Sequence, residues 1–285
     1  MTSASTPVQA TRADRATVPP AAHHAGFAHV MLAEWTKIRS VRSTMWTLLL
    51  FIVLTVGFTT LFTALTVSNW TGPRAAERNA TVTANPIGFI LGAGIGLGQL
   101  TICVLGALLI TTEYSTGVIR ASLLAVPRRL PMLAAKAVVF AALLLVIAEI
   151  VSFSCFFIGS AILHSRVPVS LSDNDVLRAV VGAGLYLTVL GLFALGVGSL
   201  VRHTAGAITT VIGIALVLPI LSGLLPGSWG EHINAYLPEQ AGALIFSAHR
   251  TSSQLLSAWQ GFGVFCLWTA VLLAAGAYLL SRRDA

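Results

Sequence analysis

Charge is what this sequence has least of. Only 9% of its 285 residues are Asp, Glu, Lys or Arg, against 56% hydrophobic, and the mean hydropathy is +0.85. That balance excludes a soluble globular chain and defines a polytopic membrane protein. Lysine is confined to Lys37 and Lys136, and neither follows a glycine-rich loop, so the chain has no P-loop with which to bind ATP. It also lacks a Gly-x-Ser-x-Gly elbow, paired intramembrane aspartates and a Cys/His nucleophilic constellation, which removes the usual grounds for catalysis. The three cysteines, Cys103, Cys155 and Cys266, fall in apolar stretches at unrelated spacings, as small buried residues and not as a disulfide or metal framework. No cleavable signal peptide is visible, because the first 26 residues are polar and rich in Ala, Thr and Pro. Insertion is expected to use the first span as an uncleaved anchor.

What the chain has is long apolar runs. A helix needs roughly 20 mostly apolar residues to cross the hydrocarbon layer, and six segments reach that length: 44–67, 88–111, 133–163, 176–201, 206–225 and 258–280. The expected fold is all-α, a polytopic membrane bundle of six transmembrane helices. The formal charge of +7 fits orientation in a bilayer and does not require a nucleic-acid partner. Near the spans, Lys37, Arg39, Arg42, Arg120, Arg128, Arg129, Lys136, Arg202, Arg282 and Arg283 fall on one side, ten in all. Arg74, Arg78, Arg166, Arg178 and Arg250, five in all, fall on the other. The excess places both termini in the cytoplasm of a cell-membrane protein, and the even number of spans agrees.

Residues 1–26 hold too few large apolar residues to fold alone and read as a disordered cytosolic tail. His23, His24 and His29 have no carboxylate or Cys at ligand spacing, so the tail is solvated and not a metal site. Residues 27–43 change character. Phe27, Val30, Met31, Trp35 and Ile38 share a helical face beside Lys37, Arg39 and Arg42, the pattern of an elbow helix on the inner leaflet; an extension of the first span is the alternative. The second span opens with Gly88, Gly92, Gly94, Gly96 and Gly98, which mark either a close helix contact or a mobile helix. Glu149 is the one ionisable residue deep in an apolar run. It belongs on a translocation path, or at a helix interface bonded to a neighbouring Ser or Thr. Asp173 and Asp175 read as helix-start residues. Residues 226–257, with Trp229, Tyr236, Leu244, Ile245 and Phe246, suit short half-buried helices capping the outer end.

The hairpin at 112–132 is the most distinctive stretch. It carries Glu113, a turn at Ser115, Thr116 and Gly117, an amphipathic run over 118–126, and Pro127, Arg128 and Arg129. It is either a place for a soluble partner to grip or a loop whose charges only set topology.

Three stretches together resemble a known family. AEWTKIRSVRSTMWTLL at 33–49, EYSTGVIRASLLAVPRR at 113–129, and YLPEQAG at 236–242 with the terminal SRRDA are similar to actinobacterial permease subunits of ABC transporters of the type-2 exporter family. The resemblance covers nearly all of the chain after residue 26 and makes 44–285 the permease domain. It implies that Glu113 and Gly117 begin a coupling helix, that Arg120 to Pro127 run along it, and that Arg128 and Arg129 close it. It further implies a separate P-loop ATPase subunit carrying ATP and Mg, no cofactor on this chain, and a second permease chain, as a homodimer. Glu149 belongs to no motif of the family. Two other readings stand beside this one: a non-transporting membrane sensor or immunity module, and a proton-coupled carrier using Glu149.

Overall fold

Helix-forming apolar runs set the frame. The computed structural model of the chain describes residues 26–72, 75–117, 129–225, 228–248 and 254–282. The tail before Gly26 and the run 118–128, with Arg120, Pro127 and Arg128, lie outside the described residues. Among the described residues there are no strands, and six helical segments are long and apolar enough to cross a membrane.

The first two helices are α1 (Phe27–Ser40) and α2 (Arg42–Ser68), separated by the extended residue Val41. The run 27–40 is thus a helix of its own and not a continuation of the first span. Its apolar residues divide between the bundle and the outside. Val30, Glu34 and Ile38, spaced by four, are buried, while Phe27 and Trp35 are exposed.

After α3 (Ala75–Ala84) comes α4 (Pro86–Ser115), which starts at a capped end. The Asn85 side chain accepts a hydrogen bond from the Gly88 backbone N–H at 2.9 Å, and Pro86 at the first helical position forgoes a donor the helix does not need there. The α4 glycines divide by face. A Cβ on Gly94 would meet the Thr55 carbonyl and the Thr59 hydroxyl, and one on Gly98 the Thr55 hydroxyl, whereas Gly92 and Gly96 have open space. Two of the glycines therefore seat α4 on a threonine seam of α2, in which Thr55, Thr59 and Thr63 are all buried. Thr55 donates within α2 to the Phe51 carbonyl at 2.7 Å and Thr59 across the seam to the Ile90 carbonyl of α4 at 3.3 Å, while the Thr63 hydroxyl is buried without a partner.

Two long helices follow, α5 (Arg129–Leu163) and α6 (Val176–Val201). Asp175 occupies the cap position of α6 but does not cap it. Its carboxylate takes the Arg178 guanidinium at 3.0 Å instead. Of the spans, α6 is the central one, with 78% of its apolar stretch buried inside the chain against 28% for α2. A helix contacted on every side needs small residues in every direction, and its glycines supply them. Gly184 faces Glu149, Gly191 faces Leu144, and Gly196 faces Leu272.

The fifth span is broken into α7 (Thr204–Ile212), a π-helical turn (Gly213–Val217) and α8 (Leu218–Gly223). Pro219 has no N–H to donate, and the wider turn before it absorbs the missing bond and the ring's bulk. Beyond it lie α9 (Ser228–Tyr236), α10 (Pro238–Ala243) and a 3-10 turn (Leu244–Phe246), and the last span is α11 (Ala258–Arg282). The short helices do more than cap the far end. Glu239 of α10 reaches Gln99, which lies 13 residues, or about 20 Å, into α4. The segment therefore dips into the bundle, which an apolar medium tolerates because the surrounding helices bury its backbone.

Candidate functional site

The end of the bundle where α4 stops and α5 starts carries a buried ionic cluster. Glu113, in the last turn of α4, and Lys136, two turns into α5, flank the hairpin. Lys136 Nζ lies 2.8 Å from Glu113 Oε1 and 2.5 Å from Glu34 Oε2 on α1. Lys37 Nζ, also on α1, is 2.7 Å from Glu34 Oε1 and 3.3 Å from Glu113 Oε1. Lys136 is 1% exposed, Glu34 2% and Glu113 9%. Two carboxylates and two ammonium groups thus cancel, and any of the three buried members, Glu34, Glu113 or Lys136, would be strongly penalised alone, while the Lys37 side chain is one-third exposed. Burial pulls the Lys37 pKa down, but the Glu34 and Glu113 carboxylates outweigh it and leave the ammonium above its ordinary range.

The cluster ties α1, α4 and α5 into one body at the base of the hairpin. Glu113 Oε2 is buried without a hydrogen-bond partner, so the Glu113 carboxylate is only half satisfied in this arrangement. Gly117 sits just past it at φ +71, a left-handed turn that glycine takes at no steric cost. Next to the cluster, a cavity of about 320 Å³ opens between the α1–α2 break and α4, lined among others by Val41, Thr44, Leu105 and Leu109.

The neighbouring turn between α6 and α7 is fixed to the same region. Arg202 closes α6 in a left-handed conformation, φ 59. Its guanidinium donates to the Leu279 carbonyl at 3.2 Å and lies over the Tyr114 ring at 5.1 Å. The Thr204 hydroxyl donates to that of Thr111 at 3.1 Å.

A second buried polar network sits deeper. The Tyr186 hydroxyl donates to Gln99 Oε1 at 2.8 Å, and Gln99 Nε2 donates to Glu239 Oε1 at 2.8 Å. Tyr186 is enclosed by Phe246 and Phe265, ring centroids 5.2 and 5.6 Å away. Glu149 is in neither network. Its carboxyl rests against Gly184, with Oε2 buried and unpartnered, so it occupies a helix interface without the Ser or Thr partner that reading called for.

Of the residues singled out in the sequence, Glu113 enters the cluster and Gly117 makes the turn beside it. Arg129 opens α5. Glu34, Lys37 and Lys136 were missed as site residues. The available signal was Glu34 itself, a carboxylate in register with Val30 and Ile38 on a helix face. Gln99 and Tyr186 were missed as well, flagged only by their presence inside apolar runs, and Glu239 was given no role although it lies in the YLPEQAG stretch. Among the described residues, no group of three His, Cys, Asp or Glu side chains is placed to hold a metal ion.

Fold and site define a multi-pass membrane helix bundle with a polar, ion-paired base at one end and a dipping hairpin at the other. The family described as "ABC-2 family transporter protein" matches residues 29–285, and the chain belongs to it. It is therefore a membrane permease of an ABC transporter, and membership implies a partner ABC ATPase subunit. No curated protein matches the chain significantly.

Proposed function

We propose that this permease serves an ATP-driven exporter and is driven by a separate P-loop ATPase subunit gripping the segment between α4 and α5. The observation that carries the reading is the ionic cluster at the base of that segment. Glu113 precedes the segment and Lys136 follows it; they pair with each other and meet α1 through Lys37 and Glu34 respectively. A displacement of the segment would therefore reach α1, α4 and α5 together, and through α4 the rest of the bundle. Nucleotide can drive such a device only by binding differently to its two states, and the cluster is where the difference would enter.

In this reading ATP and Mg stay on the partner. Glu113, Gly117, Arg120, Pro127, Arg128 and Arg129 form or frame the grip, and the excess of basic residues puts that end, with both termini, in the cytoplasm. A second, identical permease chain would complete the path. The fifth span, with only 17% of its apolar stretch buried, leaves apolar surface for it or for lipid. Glu149 is a candidate for the path wall.

Two measurements test the reading. The tagged chain, purified in mild detergent from its own host, is expected to co-elute with a P-loop ATPase at equal stoichiometry, and to lose it when residues 113–129 are altered. A chain that elutes alone under several gentle conditions would overturn the proposal. At the site, Glu113→Ala and Gly117→Ala are expected to weaken ATPase retention more than they reduce membrane-inserted protein. For Gly117 the left-handed turn alone costs a Cβ about 1–2 kcal/mol. Full retention in both variants would remove these residues from the grip.

A further inference from the structure

The bundle's second polar network has no role in the coupling just described, yet it joins three elements through buried side-chain hydrogen bonds. Gln99 is 6% exposed and Tyr186 1%. An ionised Glu239 can only accept, so Gln99 donates to it through Nε2 and presents Oε1 to the Tyr186 hydroxyl. One residue from each of α4, α6 and α10 is joined in this way.

The hold on α10 is otherwise smooth. Gly261 of α11 lies against the Ala241 carbonyl, and Gly242 of α10 against the Phe265 ring. These are close contacts of small residues, with no polar bond between the two helices at either point. The 3-10 turn beyond is pinned separately, Arg178 donating to the carbonyls of Ile245 at 2.9 Å and Ser247 at 3.0 Å. The α9 side is held by Trp268 of α11, donating to the Tyr236 carbonyl at 3.1 Å, and by Asn234, donating to the Pro219 carbonyl at 3.2 Å, so Glu239 is the side chain that ties α10 to α4.

The tether is also incomplete. Glu239 Oε2 is buried and has no partner, a cost that the closed arrangement carries and that contact with water would remove. A network with two good bonds and one orphaned oxygen is suited to opening and reclosing. It is mounted on α4, the same helix whose other end supplies Glu113 to the ionic cluster.

We propose that Gln99, Glu239 and Tyr186 form a latch that holds the dipping hairpin α9–α10 closed over the interior, with Gln99 as the positioning residue that links the hairpin to α4. The inference rests on the transporter reading for its purpose, since a permease must open the end opposite its ATPase. The latch itself is a property of this chain alone. Opening it frees Glu239 and admits water to the α4 surface one turn below Gln99, where Cys103 is 0% exposed.

Cys103 is therefore a native reporter. In proteoliposomes of the full chain carrying Cys266→Ala, the rates at which a charged methanethiosulfonate reagent modifies Cys103 and Cys155 are read separately by peptide mass spectrometry. Cys155 is 1% exposed on α5 and reports general loosening. With two membrane-buried hydrogen bonds at stake, Glu239→Ala and Gln99→Leu are expected to speed Cys103 modification about three- to tenfold and to leave Cys155 unchanged. Tyr186→Phe keeps the ring packing and should speed it less. Glu239→Gln retains an oxygen for Gln99 and is expected to match the native rate. The latch is overturned if Glu239→Ala leaves Cys103 at the native rate, if Glu239→Gln is as fast as Glu239→Ala, or if Cys155 accelerates in parallel. A further arm adds the partner ATPase with ATP. Acceleration of Cys103 in the native chain is the expected result, and its absence alongside a clear Glu239→Ala effect would count against ATP coupling while leaving the latch in place.

Discussion

Lys136→Met is expected to destabilise the folded chain by about 3–5 kcal/mol, the cost of stranding buried carboxylates when their cation is removed. Methionine fills similar space, so the loss is electrostatic and not a cavity. Glu34 and Glu113 both lean on the one Lys136 Nζ. Without it, among the described residues, they retain Lys37, 2.7 Å from Glu34 and 3.3 Å from Glu113, with a side chain one-third exposed. The effect should appear as a sharp fall in melting temperature in detergent and in the yield of monodisperse protein. Adding Glu34→Gln to Lys136→Met removes one stranded charge and should recover a large part of the loss. If Lys136→Met melts like the native chain, the ionic cluster is not what joins α1, α4 and α5.

Gly94→Leu is expected to be comparably damaging, at about 3 kcal/mol or more, because the first added carbon already meets the Thr55 carbonyl and the Thr59 hydroxyl across the α2–α4 seam. Backbone cannot turn aside as a side chain can, so the two spans must separate. Gly96→Leu, two residues on, points into open space and should change monomer stability by less than about 0.5 kcal/mol. Thermal unfolding of the two variants side by side decides the matter. Equal melting temperatures would mean that the α4 glycines do not discriminate faces. A Gly96→Leu chain that folds normally but fails to self-associate would identify the open face as the one a second chain covers.

Much of the architecture was legible before any coordinates, and for a local reason. Apolar runs such as those around 44–67 and 176–201 declare themselves because every turn of a lipid-embedded helix must be apolar and bonded within itself. The small-residue runs of α4 announced a close contact, though not which glycines make it. What α1 buries beside Val30 and Ile38 was not legible, because Glu34 is buried against a counter-ion, Lys136, that comes from a helix 102 residues along the chain. Nothing within α1 records that partner.

The sequence by itself therefore determined a polytopic membrane protein, the number of its long apolar spans and the lack of a P-loop motif. Each follows from composition and periodicity over a few turns of chain. Only the tertiary structure decided which polar groups meet: Glu34 and Glu113 around Lys136 at one end, and Gln99 with Glu239, 140 residues apart, in the interior. A buried polar residue is tolerable only with its partner in place, and the partner's identity depends on how distant helices pack. No local pattern of residues carries that information.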